Sequence, residues 1–147
     1  MRRRVRVAAF AALLLAIGSG GPRLAAAAVL SDSDRSAVQG VIRQQLDAFR
    51  RDDAPGAFAL ASPGIQQMMI DPDHFLAIVR HAYQPVYAPR AVEFTTLSDD
   101  TGAIVQMAEL IGPDGMAYTA VYSMEREDDG TWRISGCVLL ESKRTGV

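Results

Sequence analysis

The sequence contains very little cysteine, tryptophan and histidine. Its 147 residues include one cysteine, Cys137, one tryptophan and two histidines. A single cysteine excludes an internal disulfide, so packing must supply the stability of the folded chain. The sequence also lacks a glycine-rich phosphate loop, a nucleophile elbow and a Cys-x-x-Cys motif. These are the strongest sequence signals for nucleotide, serine-hydrolase and thiol-redox chemistry.

The two histidines do not form a metal-binding pattern. His74 and His81 are seven residues apart, whereas two ligands for one metal on a helix are usually four residues apart. No acid or third histidine completes a ligand set with them. We therefore expect no bound metal and no cofactor, and we interpret both histidines as surface residues.

Long hydrophobic runs are absent, and the longest one lies near the N-terminus. The basic start MRRRVR is followed by the twelve-residue run VAAFAALLLAIG and an alanine-rich segment. A helix that spans a bilayer needs about twenty apolar residues, whereas this arrangement is typical of a secretory signal peptide. The sequence predicts a signal peptide at residues 1–28, a single domain at residues 29–147 and a periplasmic or secreted location. A retained membrane anchor is the alternative.

Positive charge is scarce after the predicted signal. Five of the fifteen basic residues precede residue 29, so ten remain against seventeen acidic residues, a net charge of −7. Such a surface repels nucleic acid and anionic lipid. We expect no nucleic-acid partner and no membrane association after signal cleavage.

The hydrophobic periodicity changes from helical to alternating near residue 90. Helices are predicted at residues 34–52 and 53–60 and from Asp71 onward, while Pro85 and Pro89 are expected to end helical structure. Four strands are predicted near residues 91–98, 103–111, 116–127 and 131–142, separated by the turn sequences SDDTG, GPDG and DDG. This order predicts an α+β fold with N-terminal helices packed on a curved four-stranded antiparallel sheet.

Loop lengths predict the register of the four strands. A four-residue loop at 112–115 places Glu109 opposite Tyr118, and a three-residue loop at 128–130 places Met124 opposite Ile134. The predicted helix-facing side then holds Val92, Phe94, Val105, Met107, Ile111, Met116, Tyr118, Ala120, Tyr122, Met124, Trp132, Ile134, Val138 and Leu140.

Glu109 is the only acid on this predicted side. Burial raises the pKa of a carboxyl group unless the group is paired, and Tyr118 across the ladder is placed to donate a hydrogen bond to it. Glu109 and Tyr118 are therefore candidates for a general acid/base pair. The alternative leaves Glu109 solvated, or paired with Arg90, near the open end of the sheet.

The opposite side of the predicted sheet is apolar for a surface that meets water. Ile104, Leu110, Val121 and Leu139 fall there, which predicts a homodimer formed through this outer face. Cys137 falls on the same side and is interpreted as a packing residue.

Aromatic and methionine side chains predict an apolar ligand pocket. Tyr83 and Tyr87 flank the end of the last predicted helix, where they could line a pocket mouth or cap the core. The remaining candidates for the lining are Phe94, Met107, Tyr122 and Trp132.

Three stretches carry a family resemblance: AFRRDDAPGAFALASPGIQQM, FLAIVRHAYQPVYAPRAVEF and YSMEREDDGTWRISGCVLLE. They resemble a family of bacterial secreted proteins, the domain of unknown function 4864. That family is similar to the cystatin-like cones of the nuclear-transport-factor-like or ketosteroid-isomerase-like superfamily. The resemblance implies a cone of curved sheet and helices with an internal pocket and frequent pairing through the sheets. It implies no catalytic residue, because the Asp and Tyr arrangement of the isomerases has no matching motif here.

The leading hypothesis for function is binding of a small hydrophobic or amphipathic molecule without turnover. The first alternative is an isomerase- or dehydratase-like enzyme with Glu109 as base and Tyr118 as proton donor. The second alternative is a structural or accessory dimeric module that binds another protein.

Overall fold

The computed structural model describes residues 8–9, 30–100 and 102–142. The predicted signal peptide at residues 1–28 lies outside this part of the chain apart from Ala8–Ala9. The described helices are α1 (Asp32–Arg50), α2 (Ala54–Ala59), α3 (Pro63–Met68), α4 (Pro72–Ala82) and α5 (Gln84–Tyr87). The described strands are β1 (Ala8–Ala9), β2 (Ala91–Ser98), β3 (Ile104–Ile111), β4 (Ala117–Arg126) and β5 (Trp132–Glu141).

The first four helices begin at residues whose side chains cap them. Ser31 and Asp34 form a capping box at the start of α1, in which each side chain pairs with the other residue's backbone N–H group. Asp53, Ser62 and Asp71 each accept a hydrogen bond from a backbone N–H group in the first turn of α2, α3 and α4. Each of these three helices also has a proline at its start, where a missing N–H group costs nothing.

The prediction that Pro85 ends helical structure was wrong. The short helix α5 follows α4 directly, and Pro85 lies in its first turn. Proline is compatible with this position because its φ angle is close to the helical value. An N–H group in the first turn would also have no acceptor within the helix, so its absence breaks no hydrogen bond. Pro85 and Val86 are buried, so α5 packs against the core.

The sheet has the strand order β1-β5-β4-β3-β2, and each neighbouring pair is antiparallel. The two-residue strand β1 pairs with β5, and the four longer strands form a meander in chain order. The helices precede these four strands in the sequence. The predicted α+β fold, with helices followed by a four-stranded antiparallel meander, is therefore confirmed.

The predicted register of β3 was wrong by one residue. Glu109 pairs with Thr119, whereas Tyr118 pairs with Leu110. The connecting turn is tighter than expected: the Gly112 N–H group bonds to the Met116 carbonyl, and Gly115 has a φ of +76°. The loop therefore has three residues and a left-handed glycine. Because side chains alternate along a strand, this change exchanges the two sides of β3.

Successive rows of paired residues define the two sides of the sheet. On the helix-facing side, one row runs Phe94–Ala108–Ala120–Leu139. Ala108 and Ala120 are fully buried, and their small side chains leave room for the apolar stripe of α1. The neighbouring row on the same side runs Gln106–Tyr122–Cys137. Polar side chains therefore lie directly under the helices.

The β4–β5 pairing starts as predicted and then shifts. Met124 pairs with Ile134, as the three-residue loop at 128–130 predicts, and Gly130 has a φ of +86°. A bulge at the next pair brings Ser123 opposite Gly136. Beyond the bulge, β5 presents the opposite side, since a bulge inserts one extra residue.

These shifts correct the predicted outer face and the predicted helix-facing side. Leu110 and Leu139 are buried under the helices, and Ile104 pairs with Met124 on the same side. Of the four residues predicted to form a dimer interface, Val121 alone lies on the outer face. Five residues that were predicted for the helix-facing side lie on the outer face instead: Val105, Met107, Ile111, Val138 and Leu140.

We predict opposite effects for two glycine-to-alanine substitutions. Gly115→Ala should lower the free energy of unfolding by about 1–2 kcal/mol, because a residue with a Cβ atom is strained in the left-handed conformation. Gly40→Ala should raise it by about 0.5–1 kcal/mol, because Gly40 lies within α1 and its added methyl group meets no other atom. Urea denaturation measures both, and equal effects would contradict the assigned turn.

Candidate functional site

A small cavity lies between the helices and the sheet. The space open to the centre of a water molecule is about 40 Å³. This volume is smaller than the cavity of about 150 Å³ that holds benzene in an engineered protein. Its lining residues are Gln45, Phe49, Ala61, Ile65, Phe75, Val79, Tyr83, Val86, Tyr122, Ile134, Gly136 and Cys137.

The connection between α2 and α3 fixes the helices over this part of the sheet. Ala61 forms a parallel bridge with Ile134. The Ser62 N–H group donates to the Ile134 carbonyl over 2.8 Å, and the Ile134 N–H group donates to the Leu60 carbonyl over 2.9 Å. Backbone hydrogen bonds thus hold one wall of the cavity, while α4 and α5 supply the other wall through Val79 and Val86.

Four residues bring polar side chains to an otherwise apolar lining. Gln45 is buried and its amide Nε2 donates to the Ala57 carbonyl over 3.1 Å. Tyr83 is buried where α4 meets α5. Tyr122 is 1% exposed, and its hydroxyl has no hydrogen-bond partner among the described residues. Cys137 is half-buried beside Tyr122 in the register of β4 and β5.

The phenol and thiol groups of the cavity are neutral at physiological pH. Burial raises the pKa of the Cys137 thiol to about 12, because the thiolate would be poorly solvated. Burial, and secondarily the nearby Cys137, raises the pKa of Tyr83 to about 12. The same causes raise the pKa of Tyr122 well above its usual value. None of the twelve lining residues carries a formal charge, so the cavity can offer hydrogen bonds but no ion pair.

Of the six residues predicted to line a ligand pocket, Tyr83 and Tyr122 lie at this cavity and the other four lie elsewhere. Trp132 is buried in the core, with the Arg126 guanidinium 5.6 Å from its ring centroid. Phe94 lies in a surface groove beneath Arg43.

The remaining two predicted pocket residues face away from the cavity. Met107 lies on the outer face of β3, opposite Val121. The Tyr87 hydroxyl donates to the Asp52 carboxylate, which also accepts from Arg80. Asp52 adopts a left-handed φ of 52°, and the hydrogen bond from Tyr87, followed by that from Arg80, lowers the pKa of its carboxyl group. Tyr87 therefore links α5 to the end of α1 at the surface.

The structure separates Glu109 from Tyr118. The Glu109 carboxylate lies on the outer face, where it accepts hydrogen bonds from the Thr119 hydroxyl over 2.8 Å and from the Ser142 hydroxyl over 3.2 Å. The Tyr118 hydroxyl instead donates to Asp114 over 2.6 Å. The predicted pairing across the ladder was wrong because the register differs by one residue, and the geometry gives no support to an acid/base pair of these two residues.

Sequence reasoning missed two polar residues of the cavity, Gln45 and Cys137. Gln45 falls three residues after Ile42 and four before Phe49, on the buried stripe of α1, so its helical position was the available signal. Cys137 was assigned to the outer face because the bulge in β5 was not anticipated. The sequence Ser135-Gly136 gives only a weak sign of that bulge, since glycine in a strand often marks one.

Among the described residues, no cluster of three or more histidine, cysteine, aspartate or glutamate side chains has a geometry that could hold a metal ion. Within the same residues, no helix combines the length and hydropathy needed to cross a membrane.

Comparison with known families identifies one match. The model of a family described as Domain of unknown function (DUF4864) matches residues 31–147, which include all the helices and the four-stranded meander. The chain belongs to this family. The comparisons with curated proteins and with solved structures find no match. Membership in DUF4864 gives no reaction or ligand, so the cavity itself must guide the functional proposal.

We predict that Cys137 makes the folded protein sensitive to alkaline pH. Its thiol ionises at about 12 in the folded state and at about 8.5 in an unfolded chain. The stabilisation by the protonated thiol is therefore complete below the unfolded pKa and decreases as the pH rises toward the folded value. From pH 8 to about pH 10, the free energy of unfolding should fall by about 2 kcal/mol more in the wild type than in Cys137→Ala.

Urea titrations at a series of pH values measure this difference. Tyr83 and Tyr122 titrate in both proteins, so the larger part of their contribution, which comes from burial, is common to both. Ser135→Ala, a neighbouring change that removes no titrating group, should keep the wild-type pH dependence. Parallel curves for the wild type and Cys137→Ala would contradict a buried, protonated thiol.

Proposed function

We propose that this protein binds a small neutral molecule, mainly aromatic or aliphatic and carrying one hydrogen-bond acceptor, in the cavity between the helices and the sheet. The observation that carries the proposal is the Tyr122 hydroxyl, which is buried without a partner among the described residues. An unpartnered buried polar group costs about 1–3 kcal/mol. A ligand acceptor that reaches this hydroxyl would recover that free energy.

The chemistry of the lining favours an uncharged ligand. The cavity has no cationic or anionic side chain to pair with a charged group, and burying an unpaired charge is strongly unfavourable. Phenol and thiol groups donate hydrogen bonds while they remain protonated. A carbonyl or ether oxygen on an apolar body therefore fits the cavity better than a carboxylate or an amine.

The volume of the cavity, about 40 Å³, restricts the ligand to a very small molecule unless the walls move. A benzene-binding cavity measures about 150 Å³, and sites for drug-sized ligands measure about 300–1,000 Å³. A one-ring ligand would therefore require α3, α4 or α5 to move away from the sheet, because Ile65, Val79 and Val86 form the apolar wall.

Binding without turnover fits the cavity better than catalysis. A general acid or base works best with a pKa near the operating pH. The phenols and the thiol of the cavity all ionise far above that range. The cavity therefore offers hydrogen bonds for recognition and no group suited to move a proton at neutral pH.

We predict that acetophenone binds more tightly than ethylbenzene, which has a similar size but no carbonyl oxygen. The preference should be about 2- to 10-fold in the wild type, the effect of one net hydrogen bond, and should disappear in Tyr122→Phe. Isothermal titration calorimetry measures the affinities, and thermal denaturation with each ligand reports binding to the folded state.

Cys137→Leu provides the test of location, because a larger side chain on the cavity wall should abolish binding of both ligands. Val138→Leu, at the next position of β5 but on the outer face, should retain wild-type affinity. Failure of both ligands to bind the wild type, or equal binding by Cys137→Leu, would overturn the proposal.

We also propose that the protein forms a homodimer through the outer face of its sheet. A row of apolar residues, Met107–Val121–Val138, crosses three adjacent strands there. Leu140 belongs to the next row and is 41% exposed. The row of Leu140 also contains two acids, Glu93 and Glu109, which pair across β2 and β3. The Glu109 carboxylate accepts hydrogen bonds from Thr119 and Ser142. A contiguous apolar patch of this kind is typical of an interaction site, and the equivalent patch on a second copy is its simplest partner.

We predict that Leu140→Lys shifts the protein from dimer to monomer in sedimentation velocity, because two lysines would then meet across a two-fold interface. Ile70→Lys, which changes an 82% exposed residue between α3 and α4, should leave the dimer intact. A wild type that sediments as a monomer at all concentrations would rule out the dimer without affecting the ligand proposal.

A further inference from the structure

A second groove of a different character lies between α1 and β2. Its volume is about 640 Å³, far larger than that of the internal cavity. Three arginines line it, Arg43 and Arg50 from α1 and Arg90 from the residue before β2. Val92 and Phe94 of β2 supply apolar surface between them. The groove is therefore a positively charged channel with an apolar wall.

The strand β2 is the last in the sheet order and pairs only with β3 among the described strands. Its residues Ala91, Val92, Glu93 and Phe94 line the groove. The outer edge of a terminal strand presents unpaired backbone N–H and C=O groups, which form a template for a further strand. A bulge between Phe94 and Leu97 interrupts the regular pairing after this segment, so about four residues of regular edge lie along the groove.

The three guanidinium groups have few partners among the described residues, and Arg90 helps to lower the pKa of the Asp114 carboxyl group. Arg43 lies over the Phe94 ring at 4.7 Å from its centroid. Arg50 approaches Asp47 no closer than 3.8 Å. Among the described residues, none accepts a hydrogen bond from Arg43, Arg50 or Arg90, and the acids lining the groove are Asp47 and Glu93. The groove therefore has a net charge of +1 on a chain whose net charge is −2.

We propose that this groove binds an extended acidic peptide segment that pairs with β2 as an additional strand. Backbone hydrogen bonds to the β2 edge would supply affinity, and carboxylates facing the arginines would supply selectivity. Side chains on one side of an extended segment repeat about every 6.8 Å. Arg43 and Arg50 are seven residues apart in α1, about 10.5 Å along the helix axis, so their long side chains can reach carboxylates of such a repeat.

A second copy of the chain fits this groove poorly. Edge-to-edge pairing of two β2 strands around a two-fold axis would bring the arginines of both grooves together. Like charges that face each other oppose association. An acidic partner segment relieves that repulsion, and charge complementarity therefore favours a different, negatively charged chain.

Fluorescence anisotropy with labelled synthetic hexapeptides tests the proposal on the full chain. The first peptide alternates glutamate with valine, the second replaces each glutamate by lysine, and the third keeps the glutamates but has N-methyl groups on the amides of one edge. We expect the first peptide to bind and the other two to bind at least about 10-fold more weakly, because they lose the charge match or the backbone pairing.

Substitutions in the groove then locate the site. Arg43→Gln and Arg90→Gln should each weaken binding of the acidic peptide about 2- to 5-fold, the effect of one exposed ion pair, and added salt should weaken it further. Arg35→Gln, an exposed arginine of α1 outside the groove, is the matched control and should have no effect. Amide NMR shifts confined to β2 and α1 would support the same location.

Several outcomes would overturn the proposal. Equal binding of the acidic and lysine peptides would show that the arginines do not select the partner. Equal binding of the N-methylated peptide would show that the groove recognises charge alone and that the peptide does not pair with β2 as an additional strand. Self-association that Arg43→Gln strengthens, with no peptide binding, would show that the groove is an interface between copies of this chain.

Discussion

The left-handed glycines of the two central hairpins determine which side of the sheet meets the helices. Gly115 and Gly130 each close a three-residue loop, with φ values of +76° and +86°. In both turns the residue before the loop donates its N–H group to the carbonyl of the residue after it, as Gly112 does to Met116. Because side chains alternate along each strand, these two loops decide the environment of every residue in β3 and β4.

That register places a row of polar residues under the helices, and two of them, Tyr122 and Cys137, line the cavity. Gln106 is fully buried and fully engaged: its amide donates to the Thr96 carbonyl over 3.2 Å and to the Met107 carbonyl over 2.8 Å. The bond to Thr96 falls within the bulge of β2, where the regular ladder is interrupted. Tyr122 and Cys137 continue the row, and the Tyr122 hydroxyl has no hydrogen-bond partner among the described residues. Along the row, a fully hydrogen-bonded side chain on β3 is therefore followed by an unpartnered hydroxyl on β4.

The sequence predicts the elements of this fold better than their register. Periodicity, proline positions and turn residues identify three of the helices and the four long strands, because each signal is local. The loops Pro113-Asp114-Gly115 and Asp128-Asp129-Gly130 have the same pattern, and treating them alike would have placed Glu109 outside. The β5 bulge has no comparable signal, since both possible sides of residues 137–140 are apolar. Tyr83 and Tyr122 could be predicted for the pocket, whereas Cys137 could not.

The two proposed sites differ in location and in charge: one is an uncharged cavity in the interior, and the other is a groove with a net positive charge at the surface. The interior cavity contains neutral donors whose burial keeps them protonated, so it selects against charge. The groove at the sheet edge is exposed and carries three arginines with few partners among the described residues, so we expect it to prefer negative charge.

α1 contributes to both sites, because Gln45 and Phe49 line the cavity while Arg43 and Arg50 line the groove. The helix therefore connects them physically. A ligand that displaces α1 from the sheet would also change the width of the groove. Coupling between the sites would require that the two ligands prefer different positions of this one helix.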